Sequence, residues 1–258
     1  MEHWSANRSS KDNICRLVLT EGGYLFDMAQ EIISSELREL SVYNTILSAI
    51  AQGHNKLNDL FLTTGYSRAK ISVYMKNLSH FDIGEKIVSF ETGGWDNAKK
   101  GIYRIKDTFV NFWFKFVFPY MSDLYRLTPE DFYNKHIEKE LDSYMNRYFC
   151  DVCMEYLQLL NKIGRVPFAI HKMGTWIGKT GTIDIIAQSS DRQNIVGLCN
   201  WEKPYLTREM CEKLYESMEK ARVQSNHFYL FSAKAFEPAL IEVAKKDSRF
   251  ELIDMNEL

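Results

Sequence analysis

Apolar residues change their spacing along the chain, and the changes mark the elements. Between residues 41 and 78 they recur at helical intervals. Val42, Ile46, Leu47 and Ile50 predict a helix over 41–53, with Ser41 as its N-cap and Gly53 as its stop. Leu57, Leu60 and Phe61 predict a second over 56–63, followed by a turn at Gly65. Ile71, Tyr74, Met75 and Leu78 predict a third over 68–78, capped by Ser67. Strand-like runs follow at 87–90 and 101–105, with a turn over 91–97 between them. Three helices and a two-stranded ribbon are the pattern of a winged helix-turn-helix.

Residues 1–20 read as polar and irregular, with a short apolar patch at Leu17–Leu19, and 24–40 as an extended lead-in and a helix. The aromatic run 108–120 predicts a buried connecting helix that Pro119 ends. It falls well short of the roughly 20 apolar residues that span a bilayer, and Lys115 interrupts it. Residues 129–160 are helical in spacing, with Glu130, Asp131, Glu138 and Glu140 on a solvated face. From 163 the pattern turns to α/β. Strands are expected at 166–170, 182–188, 194–200, 227–231 and 250–253, with helices at 208–222 and 236–246. That order predicts three layers around a mixed sheet.

Composition changes this picture little. A net charge of -2 over 258 residues gives no global pull toward nucleic acid or membrane. Locally, residues 41–105 carry more Lys and Arg than acids, while residues 1–40 are acidic, which directs attention to the middle segment for an anionic partner. The cysteines are Cys15, Cys150, Cys153, Cys199 and Cys211, an odd set at irregular spacing that argues against a disulfide framework and for a reduced, cytoplasmic setting.

Several motifs fail on their own terms. Gly174 to Thr180 imitates a phosphate loop, but only three residues separate Gly174 from Gly178, and a strand follows instead of a helix N-terminus. It reads as a hairpin turn, with no nucleotide bound. Cys150 and Cys153 form a C-x-x-C on a helix with no second pair or nearby histidine, so they read as buried helix residues and no metal site is expected. The histidines are scattered and no nucleophile elbow exists. The third helix does have the residues that contact DNA: Ser67, Arg68, Lys70, Tyr74, Lys76 and Asn77, with Lys99, Lys100 and Arg104 on the ribbon. A protein-binding helix with an ordinary charged surface would look similar.

These stretches resemble the C-terminal half of the archaeal-type AAA ATPases. The resemblance rests on Ser35–Tyr43, on Tyr103-Arg-Ile-Lys-Asp107 with Phe112–Val117 and Pro119, and on Gly174-Thr-Trp176 ahead of Ile183-Asp184-Ile185. It implies a winged helix over 41–107 after a lead-in segment (1–40), an aromatic connecting helix (108–128), and a restriction-endonuclease-like domain of the PD-(D/E)XK type over 129–258. The ATPase module that precedes these parts in the family has no counterpart here. The nuclease set implied by the family is also degraded. Its helix glutamate falls at Cys150, its Glu-Ile-Asp reads Thr182-Ile183-Asp184, and its Gly-Glu-Cys-Lys-Trp reads Gly197-Leu198-Cys199-Asn200-Trp201, so Asp184 alone remains.

The expectation is therefore an α+β protein that binds and does not catalyse. Its partner would be double-stranded DNA, another protein or a second copy, with no cofactor and no membrane. One alternative is a divergent Mg²⁺-dependent nuclease using Asp184 with Glu202. Another is a protein-binding remnant of an AAA ATPase.

Overall fold

The computed structural model describes residues 3–90 and 101–258. The chain forms two units, one of Met1–Ile87 with Gly101–Glu140, the other of Val88–Lys100 with Leu141–Leu258. Helices and a mixed five-stranded sheet make it an α+β protein. No helix among the described residues is long and apolar enough to cross a membrane.

The first unit opens with α1 (Ser10–Ile14), which continues as a π-helical turn over Cys15–Leu19. This corrects the expectation of an irregular start. Ser9 caps α1 by accepting from the Asp12 N–H, and the fully buried Asn13 bonds both the N–H and the carbonyl of Ser5. The polar residues here are capping and core groups, which hydrophobic spacing does not register. After α2 (Met28–Glu36) come α3 (Leu40–Ala51), α4 (Leu57–Thr64), α5 (Arg68–His80) and the pair β1 (Gly84–Val88) and β2 (Gly101–Ile105). Ile46, Leu47, Leu60, Ile71, Met75, Leu78 and Ile105 are buried, the faces that the spacing marked. Gly65 ends α4 at φ 72°, a left-handed conformation that favours glycine. Ser67 caps α5 as expected, accepting from the Lys70 N–H. Ser41 does not cap α3. It lies inside the helix, and Glu39 takes the cap position at φ 58°. The first ribbon strand ends at Val88, before the expected Phe90. The turn expected at 91–97 lies outside the described residues, as do Lys99 and Lys100.

The aromatic run is helical from α6 (Thr108–Phe112) through a π-helical turn (Trp113–Val117) and a 3-10 turn (Phe118–Tyr120) into α7 (Met121–Leu124). Pro119 does not end it, because it sits in the first turn of a helical segment, where a missing N–H costs little. The helical stretch expected over 129–160 breaks in two. Its first part, α8 (Pro129–His136), belongs to the first unit, where Cys15 and Lys11 bond Pro129 O and Asn134 Oδ1.

The second unit is three layers. The sheet order is β3 (Lys172–Ile177), β4 (Thr182–Gln188), β5 (Asn194–Asn200), β7 (His227–Ser232), β9 (Phe250–Asp254). The β3–β4 and β4–β5 pairs are antiparallel, while β5–β7 and β7–β9 are parallel. A short parallel pair, β6 (Tyr205–Leu206) and β8 (Ala235–Phe236), stands apart. The long helix α9 (Leu141–Lys162) covers one face with Phe149, Cys153 and Leu157. Helices α10 (Arg208–Ala221) and α11 (Pro238–Lys246) cover the other with Leu214, Met218 and Leu240.

The strand expected at 166–170 is a correction. Val166, Phe168 and Ile170 do pack alternately against the α9 cluster, as strand residues would. Their backbone pairs with no strand, and Asn161 instead bonds both the N–H and the carbonyl of Ile170. The sheet edge is β3, and Ser89–Phe90 lies along it, with the Phe90 N–H donating to Thr175 O at 2.8 Å and the Ile177 N–H to Ser89 Oγ at 2.8 Å.

Candidate functional site

β4 carries a bulge. Two steps along β3, from Gly174 to Trp176, face three along β4, from Ile186 to Ile183. The extra residue falls at Asp184–Ile185, and Thr175 Oγ pins it by donating to Asp184 O at 2.8 Å. A bulge breaks the alternation of a strand and re-aims a side chain. Ile183 and Ile186 therefore pack toward α10, while Ile185 and Ala187 pack toward α9. Asp184 also turns toward α9, where its carboxylate meets the sulfurs of Cys150 on α9 and Cys199 on β5. Gly197 opposite Ile185 makes room, since a Cβ there would lie 2.9 Å from Ile185 Cβ.

The three ligand atoms of Cys150, Asp184 and Cys199 lie within 4.8 Å of one another. The Cys199 N–H donates to Asp184 Oδ2 at 2.9 Å. Burial pushes the Asp184 carboxyl up to about 6, and the Cys199 bond draws it down only in part. Burial holds the Cys199 thiol well above its usual range, helped by hydrogen bonds to the sulfurs of Cys150 and Cys153. The bond to Cys199 pulls the Cys150 thiol down, but burial and the Asp184 charge leave it raised. At neutral pH the cluster is thus a carboxylate beside protonated thiols.

The end of β5 is fastened to the start of α9. The Trp201 N–H donates to Asn146 Oδ1 at 2.7 Å, and its indole N–H to Asp142 Oδ1 at 3.2 Å. Lys234 pairs with Asp142 at 2.7 Å, and these two bonds hold the Asp142 carboxyl below its usual range. Of the positions that the family resemblance marked, Cys150 joins Asp184. Thr182 is exposed at the strand start. Leu198 packs on the α10 face, and Asn200 bonds Lys203 O and accepts from the Lys203 N–H, tying the turn after β5. Glu202 pairs with Lys203, and Glu155 is exposed. No second carboxylate shares the cluster with Asp184 among the described residues. A separate cleft of this unit lies elsewhere, at the N-terminal ends of β5 and β7, between Tyr215, Arg222, Gln224, His227 and Arg249.

In the first unit, Arg68 stacks on Phe61, 4.2 Å from the ring centre, and bonds Asn58. Lys70 lies 4.6 Å from the Tyr66 ring and 5.5 Å from Tyr74. Lys76 is exposed on the same helix. Among the described residues none of these three cations meets a carboxylate. The other described candidates are engaged. Ser67 caps the helix, the Tyr74 hydroxyl bonds Glu39, Asn77 bonds Tyr43, and Arg104 pairs with Glu85 at 2.6 Å. The Glu39 bond raises the Tyr74 phenol to about 12.

The sequence alone missed Cys199 as a partner of Cys150. The two lie far apart in the chain, and no local spacing links a helix thiol to a strand thiol.

Residues 113–214 match the family model DUF234, described as archaea bacterial proteins of unknown function. This span runs from the aromatic segment through α9 and β5 and includes all three residues of the cluster. An uncharacterized protein of Methanocaldococcus jannaschii, MJECL04, is 29% identical over 173 residues. The alignment takes in 66% of this chain but only 38% of that relative's length. No solved structure matches.

Proposed function

We propose that the protein binds double-stranded DNA through the first turns of α5. In this reading the first unit is a winged helix-turn-helix. The second is a restriction-endonuclease-like domain that has lost its Mg²⁺ chemistry, kin to the C-terminal half of the archaeal-type AAA ATPases. The order of three helices and a two-stranded ribbon favours the winged helix, and the three-layer mixed sheet favours the nuclease-like domain. One observation carries the functional reading: Arg68, Lys70 and Lys76 stand on one helix with no acid among the described residues to neutralise them. Lys and Arg side chains of this kind donate to phosphate oxygens.

Loss of nuclease chemistry follows from the donor set. Mg²⁺ prefers an octahedral shell of oxygens, and Asp184 is the single carboxylate in a cluster otherwise made of sulfur.

Duplex binding measured against salt tests the proposal. Each phosphate neutralised contributes about −0.9 to the slope of log affinity against log salt. The double variant Arg68→Ala, Lys70→Ala is expected to flatten the slope by about 2 and to weaken binding at every DNA sequence. Wild-type protein that binds no duplex at low salt would refute the proposal and leave a protein-binding role. Plasmid cleavage with Mg²⁺ or Mn²⁺ that Asp184→Ala abolishes would refute the loss of catalysis.

A further inference from the structure

We infer that Cys150, Cys199 and Asp184 form a binding site for a soft divalent cation of the Zn²⁺ class, held between α9 and the β4–β5 pair. The inference stands apart from the DNA-binding proposal and rests on three features of the second unit.

The first is distance. Tetrahedral Zn²⁺ takes sulfur at about 2.3 Å and carboxylate oxygen at about 2.0–2.2 Å, which sets its donor atoms roughly 3.4–3.8 Å apart. Here the donor atoms lie within 4.8 Å of one another, so a contraction of about 1 Å, within reach of rotamer adjustments, closes them on an ion. The second is chemistry. Two sulfurs and one oxygen select Zn²⁺ and its thiophilic relatives over Mg²⁺ and Ca²⁺, which take oxygen shells. The third is an unbalanced charge. Asp184 is largely buried and aimed into the cluster, accepts one hydrogen bond, from the Cys199 N–H, and meets no cationic side chain among the described residues. A buried carboxylate without a counter-charge is costly, and a bound cation supplies one.

The surroundings suit such an ion. The Cys199 N–H orients the carboxylate as an outer hydrogen bond does around bound metals. The bulge and the Thr175 bond fix Asp184, and the Trp201–Asn146 bond fixes β5 against α9. Three protein donors leave the fourth tetrahedral position to solvent, from the side where Cys150 and Asp184 are partly exposed. Binding displaces the two thiol protons into solvent, so it strengthens with pH.

The test uses the full chain, kept reduced, stripped with a chelator, and titrated with Co²⁺ alone. The expected result is thiolate-to-cobalt charge-transfer absorption with tetrahedral ligand-field bands, saturating at one equivalent. Zn²⁺ abolishes these bands, and a large excess of Mg²⁺ leaves them unchanged. Cys150→Ser and Cys199→Ser, with folding followed by circular dichroism, are each expected to weaken binding at least tenfold, whereas Cys15→Ser and Cys211→Ser keep the wild-type titration. Absence of charge-transfer bands in the wild-type protein, displacement of Co²⁺ by Mg²⁺, or bands that persist in both Cys150→Ser and Cys199→Ser would each overturn the inference.

Discussion

Asp184 weakens the metal-free protein. Burial raises its carboxyl to about 6 in the folded chain from an ordinary 3.8, so between those pH values the native state holds more protons than the unfolded state. Its contribution to stability therefore falls as pH rises through that window, and the cost is complete above about pH 6. The shift corresponds to at most about 3 kcal/mol. Asn in its place keeps an acceptor for the Cys199 N–H and carries no charge. Asp184→Asn in chelator-treated protein is thus expected to melt at a higher temperature than wild type at pH 7.5, with the gap closing by pH 4. Equal melting temperatures at both pH values would contradict it. At this scale the sequence was half legible. Asp184 stands out as an acid between β-branched neighbours, and Arg68, Lys70 and Lys76 fall on the helix that the spacing predicts. Arg104, Tyr74 and Asn77 looked equally available, because their partners Glu85, Glu39 and Tyr43 are brought to them only by folding.

The bulge on β4 decides what the strands present. β4 and β5 were readable to the residue, since a β-branched core and polar ends bound each of them. The bulge was not, because one extra residue leaves no mark on composition. Gly197 is its counterpart on β5. A methyl there would press on Ile185 Cβ, a branched atom with nowhere to rotate. Gly197→Ala is expected to cost about 1–3 kcal/mol in urea unfolding and to disturb Asp184 as well as the core. An unchanged midpoint would mean the strands separate without penalty. Residues 166–170 and 172–177 misled for opposite reasons. Alternating apolar residues report burial, and Val166, Phe168 and Ile170 are partly buried against the α9 cluster without strand pairing. In β3, Lys172 and Gly174 interrupt the apolar pattern, yet its backbone makes the edge of the sheet.

The two units do not occupy separate stretches of chain. Ser89 and Phe90 belong to the second unit although α6–α8 of the first follow them. Phe90 is buried against Trp176 and the α10-facing cluster. Phe90→Ala is expected to destabilise the second unit by about 3–5 kcal/mol. A fragment spanning 141–258 lacks the residue altogether, and is expected to unfold at lower urea than the same unit within the whole chain. A fragment as stable as the intact unit would show that Phe90 is dispensable. Composition gave no hint of this interleaving, because Phe90 continues the apolar run of a ribbon strand. Its consequence reaches to how the protein is made. Ser89 and its partner Ile177 are 88 residues apart, and closing so long a loop costs about 4 kcal/mol of chain entropy. On the ribosome, Phe90 emerges well before the strand that shelters it. The nascent chain must carry an uncovered aromatic side chain through the synthesis of all of α6 to α9, an interval in which a chaperone has a specific residue to guard.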